Sequence, residues 1–124
     1  MLIGLRAHPD LLFIATSNVP EVVDVAVVSR ADVVLTFPLP DCEAREQILK
    51  STVEAVASRF PGFEGLITDG SVRRAAEAAE GLDGRQLRKL VVTAIAMCAE
   101  AEADPSNTTG DDLLAAIAAA GDAR

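Results

Sequence analysis

Three short stretches of this 124-residue chain hold the polar side chains that could do chemistry. Asn18 ends "LLFIATSN", where an apolar run stops on three polar residues, so its amide could be presented to a ligand. Arg30 lies in "DVAVVSRAD", and Arg85 is the first base of "GRQLRKL". Each also has a plainer interpretation: a polar turn, a surface ion pair between Arg30 and Asp32 worth less than about 1 kcal/mol, and a solvated helix face. The last of these carries a small penalty, because a cation near a helix N-terminus opposes the helix dipole.

The beginning of the chain contains two apolar runs that predict β-strands. Residues 11–15 and 33–37 are continuous apolar segments bounded by turn residues, a pattern typical of strands buried on both faces. A short helix over residues 20–29 is predicted between them. Two such strands joined by a helix favour a parallel sheet. Because two strands do not make a stable parallel sheet alone, we expect residues 1–40 to be one piece of a larger α/β subdomain.

From Asp41 onward the pattern changes to helices, which we assign to a second subdomain over residues 41–124. Asp41, Ser71 and Asp83 are suited to N-cap three of these helices, and the acids at 111–112 suit the positive end of the last. Apolar residues recur between the caps at three- and four-residue spacing. The predicted fold class is therefore an α/β fragment, followed by an all-α four-helix subdomain.

Composition and charge argue against several classes of function. The net charge is −8 and the pI about 4.5, so free surface repels phosphate backbones and anionic lipid headgroups. Trp and Tyr are absent, and with them the usual stacking platforms for single-stranded nucleic acid. Cys42 and Cys98 form no CxxC motif, which predicts two buried reduced thiols and no metal site. No transmembrane run or signal peptide is recognisable, so we expect a cytoplasmic protein.

Taken together and in this order, the three stretches resemble the C-terminal portion of an AAA+ ATPase. "LLFIATSN" looks like the sensor-1 strand, "VDVAVVSRAD" like the short helix with an arginine finger, and "GLDGRQLRKL" like the sensor-2 turn and helix of the AAA+ lid. The pachytene-checkpoint type of AAA+ remodeller shows a similar "TSN…DVA…RAD" run and a "GLSGRxLRKL" segment. Asp83 stands where that segment has Ser, and Asp keeps the ability to N-cap.

The resemblance implies roles for four residues. Asn18 would orient the attacking water, and Arg30 would reach as a finger to the nucleotide of a neighbouring subunit in a hexameric ring. Arg85, together with Gly84, would contact the γ-phosphate of its own subunit's ATP and couple lid closure to nucleotide state. The resemblance also implies ATP with Mg²⁺ as the cofactor of a full-length parent. Its protein substrate would be of the HORMA-domain kind.

The chain does not contain the other parts of such a site. It has no GxxxxGK[ST] loop and no apolar strand ending in paired acids for Mg²⁺. By itself we therefore expect it neither to bind ATP tightly nor to hydrolyse it. Two alternatives stay open: a non-catalytic helical interaction module, and a small helix-turn-helix DNA-binding regulator, for which "SVRRAAEAAEGLDGRQLRKL" has the required order of elements.

Overall fold

The chain divides into two compact units, Met1–Phe37 and Pro38–Arg124, in a computed structural model that describes residues 11–17 and 23–122. The division lies close to the predicted change of subdomain after residue 40. The assignment of the two parts to AAA+ subdomains stays a prediction.

The first unit contains one short helix among its described residues. Helix α1 spans Val25–Val28. It begins where the carboxylate of Asp24 accepts a hydrogen bond from the Ala26 N–H at 2.9 Å. The Ser29 hydroxyl donates to the Ala26 carbonyl at 3.0 Å at the other end. The predicted helix over residues 20–29 is therefore shorter than its sequence pattern indicates, as far as the structure describes it.

The two predicted strands are not strands. Neither residues 11–15 nor residues 33–37 pair with another segment in the described part of the chain. Their large side chains are exposed, Leu12 by 82% and Phe37 by 88%. A strand needs a neighbour for its backbone N–H and C=O groups, and an apolar composition alone does not supply one. The predicted fold class, an α/β fragment with strands of a parallel AAA+ sheet, is therefore wrong.

The second unit is a bundle of helices joined by short turns. Two one-turn 3₁₀ helices, Pro61–Glu64 and Pro105–Asn107, lie in its connections. Its α-helices are α2 (Cys42–Ala57), α3 (Gly65–Thr68), α4 (Ser71–Ala78), α5 (Gly84–Met97) and α6 (Gly110–Asp122).

The core of this second unit is aliphatic, apart from one buried aromatic side chain. Phe63 is 1% exposed and is the largest of the fully buried side chains. Phe60, three residues beyond the end of α2, is exposed. Pro61 begins the 3₁₀ turn that brings Phe63 inward instead. Phe63 belongs to the same buried cluster as apolar residues from α2, α4, α5 and α6, among them Leu49, Val53, Val72, Ala76, Leu87, Leu90, Val91, Ala94, Leu113 and Ala116.

Local chemistry sets where two of these helices, α2 and α4, begin. The N-cap predicted at Asp41 is confirmed, since its carboxylate accepts from the Ala44 N–H at 2.8 Å. The N-cap of α4 is Gly70 and not Ser71. Gly70 has φ 79°, a left-handed conformation that favours glycine, so the chain turns into α4 one residue earlier than predicted.

Candidate functional site

The start of α5 is held by a reciprocal pair of hydrogen bonds. Asp83 is the N-cap, and its carboxylate accepts from the Gln86 N–H at 2.8 Å. In return, the Asp83 N–H donates to Oε1 of Gln86 at 2.9 Å. The preceding Leu82 is buried in the core. This capping box satisfies two backbone donors at the helix end and anchors the turn from both sides, so the backbone at Arg85 has a well-defined position.

Arg85 presents an exposed side chain on the first turn of α5. No described residue forms an ion pair or a hydrogen bond with its guanidinium group. A cation at this end of a helix opposes the helix dipole, and no anion within the described chain offsets the cost. The position of Arg85 is therefore one that an anionic ligand would stabilise.

Gly84, the residue before Arg85, is half-buried beside α2. A Cβ atom at this position would lie 3.6 Å from Cδ1 of Ile48, an ordinary van der Waals distance. Gly84 also lacks the positive φ that would demand glycine. Packing within the described chain therefore gives no reason for a glycine here.

Arg88 and Lys89 lie further along α5, and both are exposed. In the part of the chain that the structure describes, the ion pairs belong to Arg73, which contacts Glu46 at 3.7 Å and Glu77 at 3.5 Å. Both pairs are at the surface and contribute little. Arg85, Arg88 and Lys89 thus form an unpaired basic cluster on a chain whose net charge is −8.

Arg30 lies in the turn that follows α1, with its side chain exposed and its backbone N–H donating to the Val27 carbonyl at 3.2 Å. The surface ion pair with Asp32 is not formed among the described residues. Asn18 lies outside the described residues. Gly84 and Arg85 are adjacent on α5, whereas Arg30 belongs to the other compact unit. The roles expected for these four residues stay predictions.

Arg45 is a polar residue of the second unit that the sequence reasoning missed. It is 7% exposed, and its Nε donates to the Ala76 carbonyl at 2.8 Å while Nη1 donates to the Pro40 carbonyl at 2.9 Å. Its spacing contains the signal that could have found it, because Arg45 precedes Leu49 and Val53 at intervals of four residues on the buried face of α2.

Two carboxylates of the second unit have shifted pKa values, both through hydrogen bonds at helix starts. The pKa of Asp69 is lowered by its hydrogen bonds to Ser71 before α4, with a smaller contribution from the charge of Arg74. The pKa of Asp112 is lowered chiefly by the Thr109 N–H, which donates to it at 2.7 Å before α6. These acids are structural caps, and both lie outside the first turn of α5.

The two cysteines have no role in this site. Cys98 is half-buried, and its thiol donates to the Asn107 carbonyl at 3.7 Å. Cys42 begins α2 and is exposed, so the expectation of two buried thiols is wrong for Cys42.

Sequence comparison relates the chain to known proteins. The chain is 40% identical over 110 residues to CD-NTase-associated protein 6 of Pseudomonas aeruginosa, covering 89% of this chain and 36% of that protein. It is 32% identical over 133 residues to pachytene checkpoint protein 2 homolog of Arabidopsis thaliana, covering 83% and 28%. Fidgetin-like protein 1 of Caenorhabditis elegans is 31% identical over 112 residues, covering 89% and 16%. The chain belongs to the AAA+ ATPase family.

The AAA+ relation is consistent with the C-terminal part of such an ATPase. The chain spans 36% or less of the length of these three relatives. No family model matches the chain, and no solved structure gives a significant match.

Two further observations bear on what this AAA+ chain can hold. None of the helices that the structure describes has the length and apolar character to span a bilayer. Within the same described residues, no cluster of three His, Cys, Asp or Glu side chains is arranged to bind a metal ion.

Proposed function

We propose that the chain is the nucleotide-sensing C-terminal part of an ATP-hydrolysing AAA+ ring protein that remodels partner proteins. The observation that carries the proposal is the state of Arg85. Its side chain is an exposed cation without a partner among the described residues, on a helix start fixed by the Asp83–Gln86 capping box. A residue held in this way is prepared for an anion from outside the described chain.

The residues at the start of α5 fit ATP as the anion. The AAA+ relation implies nucleotide and Mg²⁺ use in the parent family. Arg85 offers a planar fork of N–H donors that matches phosphate oxygens, and Gly84 places no side chain beside it. The described residues offer no Mg²⁺ ligand cluster, so the fit concerns the nucleotide alone. When bound, ATP supplies the phosphoryl group for hydrolysis.

Within this proposal, the contribution of Arg85 is electrostatic. Its guanidinium compensates negative charge on the γ-phosphate, where charge must be stabilised during phosphoryl transfer. Because Arg85 is built on the rigid first turn of α5, a contact with phosphate ties the orientation of the second unit to the nucleotide. Loss of the γ-phosphate, after water cleaves its bond to the β-phosphate, would remove this contact with Arg85.

We propose that Asn18 and Arg30 complete the machinery from the first unit. Asn18 orients the attacking water through its amide, and Arg30 acts as a finger toward the nucleotide of a neighbouring subunit. The exposed, unpaired side chain of Arg30 in the described residues supports an intermolecular role. The AAA+ relation likewise implies oligomeric ring assembly, which we take to be a hexamer.

The substrate proposed is a folded protein of the HORMA-domain kind. Its support is the likeness to pachytene checkpoint protein 2 homologs, at 32% identity in Arabidopsis thaliana and 29% in rice. We propose a cytoplasmic location for the assembled ring.

A chimera tests the proposal directly. The matching segment of the Arabidopsis pachytene checkpoint protein 2 homolog is replaced by this chain, and ATP hydrolysis is measured for the chimera and the unaltered relative. We expect the chimera to hydrolyse ATP and this chain alone to be inactive. Arg30→Ala should abolish most of the turnover, and mixing with subunits that carry an intact Arg30 but a disabled P-loop should restore part of it. A folded chimera without ATPase activity, or an Arg30→Ala chimera with unchanged turnover, contradicts the proposal.

A further inference from the structure

The surroundings of Arg45 give its buried charge an unusual set of partners. Arg45 is only 7% exposed, and burying a charge costs free energy unless polar groups compensate it. No carboxylate forms an ion pair with it in the described part of the chain. Its guanidinium instead donates to two backbone carbonyls, at 2.8 Å to Ala76 and at 2.9 Å to Pro40. The two carbonyls are far apart in sequence, so Arg45 joins two separate segments of the chain.

The Ala76 carbonyl lies in the last turn of α4, Ser71–Ala78. Carbonyls in the last turn of a helix lack partners within the helix, and a positive charge there is favourable to the helix dipole. This hydrogen bond therefore stabilises the end of α4, which explains part of why Arg45 is buried there. The turn that leads to Arg85 follows directly after this helix end.

The Pro40 carbonyl lies outside any helix, in the segment Pro38-Leu39-Pro40 that follows the division between the two compact units. Each proline fixes its own φ angle and restricts the residue before it to extended conformations. The segment is therefore short and stiff. Immediately after it, Asp41 caps α2. The bond from Arg45 to Pro40 holds the end of this stiff segment to the guanidinium group that also contacts α4.

We propose that Arg45 is the positioning residue for the connection between the two units, holding the Pro38–Pro40 segment to the end of α4. The Pro38–Pro40 segment then moves together with the second unit. If the end of α4 is displaced, the guanidinium group of Arg45 displaces this segment with it. This positioning does not require a nucleotide, so it stands or fails separately from the role of Arg85.

Backbone NMR on the ¹⁵N-labelled full chain tests the proposal. The Leu39 amide in the wild-type chain should have the order parameter of rigid backbone, about 0.85, and the Arg45 Nε–H resonance should be protected from exchange. Arg45→Lys keeps the charge but loses the fork that reaches two carbonyls at once. The order parameter of Leu39 should then fall toward the flexible range, below about 0.6, while the amides of α5 keep theirs. Arg73→Lys, an exposed arginine with two surface ion pairs, is the matched control and should leave Leu39 unchanged.

A second variant separates the carbonyl bond from the stiffness of proline. Pro40→Ala keeps the backbone carbonyl that Arg45 contacts, so Leu39 should stay ordered. If Arg45→Lys lowers the melting temperature but leaves the order of Leu39 unchanged, Arg45 has only a structural role and the proposal is overturned. A flexible Leu39 in the wild-type chain would also overturn the proposal, and that measurement does not depend on any variant folding.

Discussion

Asp83 and Gln86 exchange two hydrogen bonds across the first turn of α5, at 2.8 and 2.9 Å, and Arg85 lies between them in the sequence. The turn is therefore fixed by its own backbone and side chains. As a result, the cation of Arg85 is held at the N-terminus of α5, where the helix dipole disfavours it, and it has no partner among the described residues. The proposed contact between Arg85 and a nucleotide depends on this fixed turn.

Loss of the cap at Asp83 should destabilise the second unit. Asp83→Ala removes the acceptor for the Gln86 N–H, and removal of an N-cap costs typically about 1 kcal/mol. Asp83→Ser, which installs the residue seen in the similar "GLSGRxLRKL" segment, keeps an acceptor. It should lower the free energy of unfolding by only a few tenths of the loss caused by Asp83→Ala. Urea unfolding monitored by circular dichroism measures both variants. Equal losses for Ala and Ser would show that the carboxylate charge, and not the capping bond, stabilises the turn.

Gly110 should not tolerate a side chain. A Cβ atom there would lie 2.9 Å from Cβ of Ser71 and 3.0 Å from Nη2 of Arg74, so the starts of α4 and α6 would have to move apart. We expect Gly110→Ala to lower the free energy of unfolding by about 1–3 kcal/mol. Gly65→Ala is the matched control, because nothing lies within 4 Å of its Cβ position, and it should be neutral or slightly stabilising. Equal stability of the two variants would contradict the close packing of α4 against α6.

Stability should fall in acid partly through Asp69. The pKa of this carboxyl is lower in the folded chain than in the unfolded chain, because of its hydrogen bonds to Ser71. Its contribution is therefore complete above the unfolded pKa, about 3.9, and is lost as the pH falls through the folded pKa. Asp69→Asn should be less stable than wild type at neutral pH, by under about 1 kcal/mol because the site is exposed. The difference should close as the pH falls through the folded pKa of Asp69.

Asp112, the other carboxyl group with a lowered pKa, provides a parallel test of this pH effect. Asp112→Asn removes a carboxylate whose pKa is lowered by the Thr109 N–H, so its stability difference from wild type should also close as the pH falls through the folded pKa of Asp112. Urea midpoints at a series of pH values measure both. A difference for Asp69→Asn that persists undiminished at the lowest pH would mean that the substitution disturbs the turn for reasons other than charge.

Local chemistry in the sequence predicted much of the second unit. The caps at Asp41 and Asp83 follow from side-chain acceptors directly before apolar helical patterns, and both are present. Ser71 was a wrong choice of cap, because the turn depends on the left-handed φ of Gly70, which the pattern of side chains does not reveal. Arg45 was missed because an arginine on an apolar face looks like an exception until its two carbonyl partners are known.

The first unit shows where local reasoning fails. Residues 11–15 have the composition of a buried strand, yet a strand forms by pairing with a neighbour, and the described chain offers none to them. The same limit applies to the site. The types and spacing of Asn18, Arg30 and Arg85 suggest shared chemistry, but their meeting point depends on contacts that no local pattern encodes.

ATP turnover by the chimera with Arg85→Ala is the most direct measurement of the central claim. The matched control is Arg88→Ala, which removes an equal charge from the same exposed cluster three residues further along α5. We expect Arg85→Ala to lower turnover by at least about tenfold, because a hydrogen bond to a charged group contributes about 1.5 kcal/mol or more. Arg88→Ala should leave turnover nearly unchanged. Equal turnover in the two variants, or a loss confined to Arg88→Ala, would contradict the assignment of Arg85 to the nucleotide.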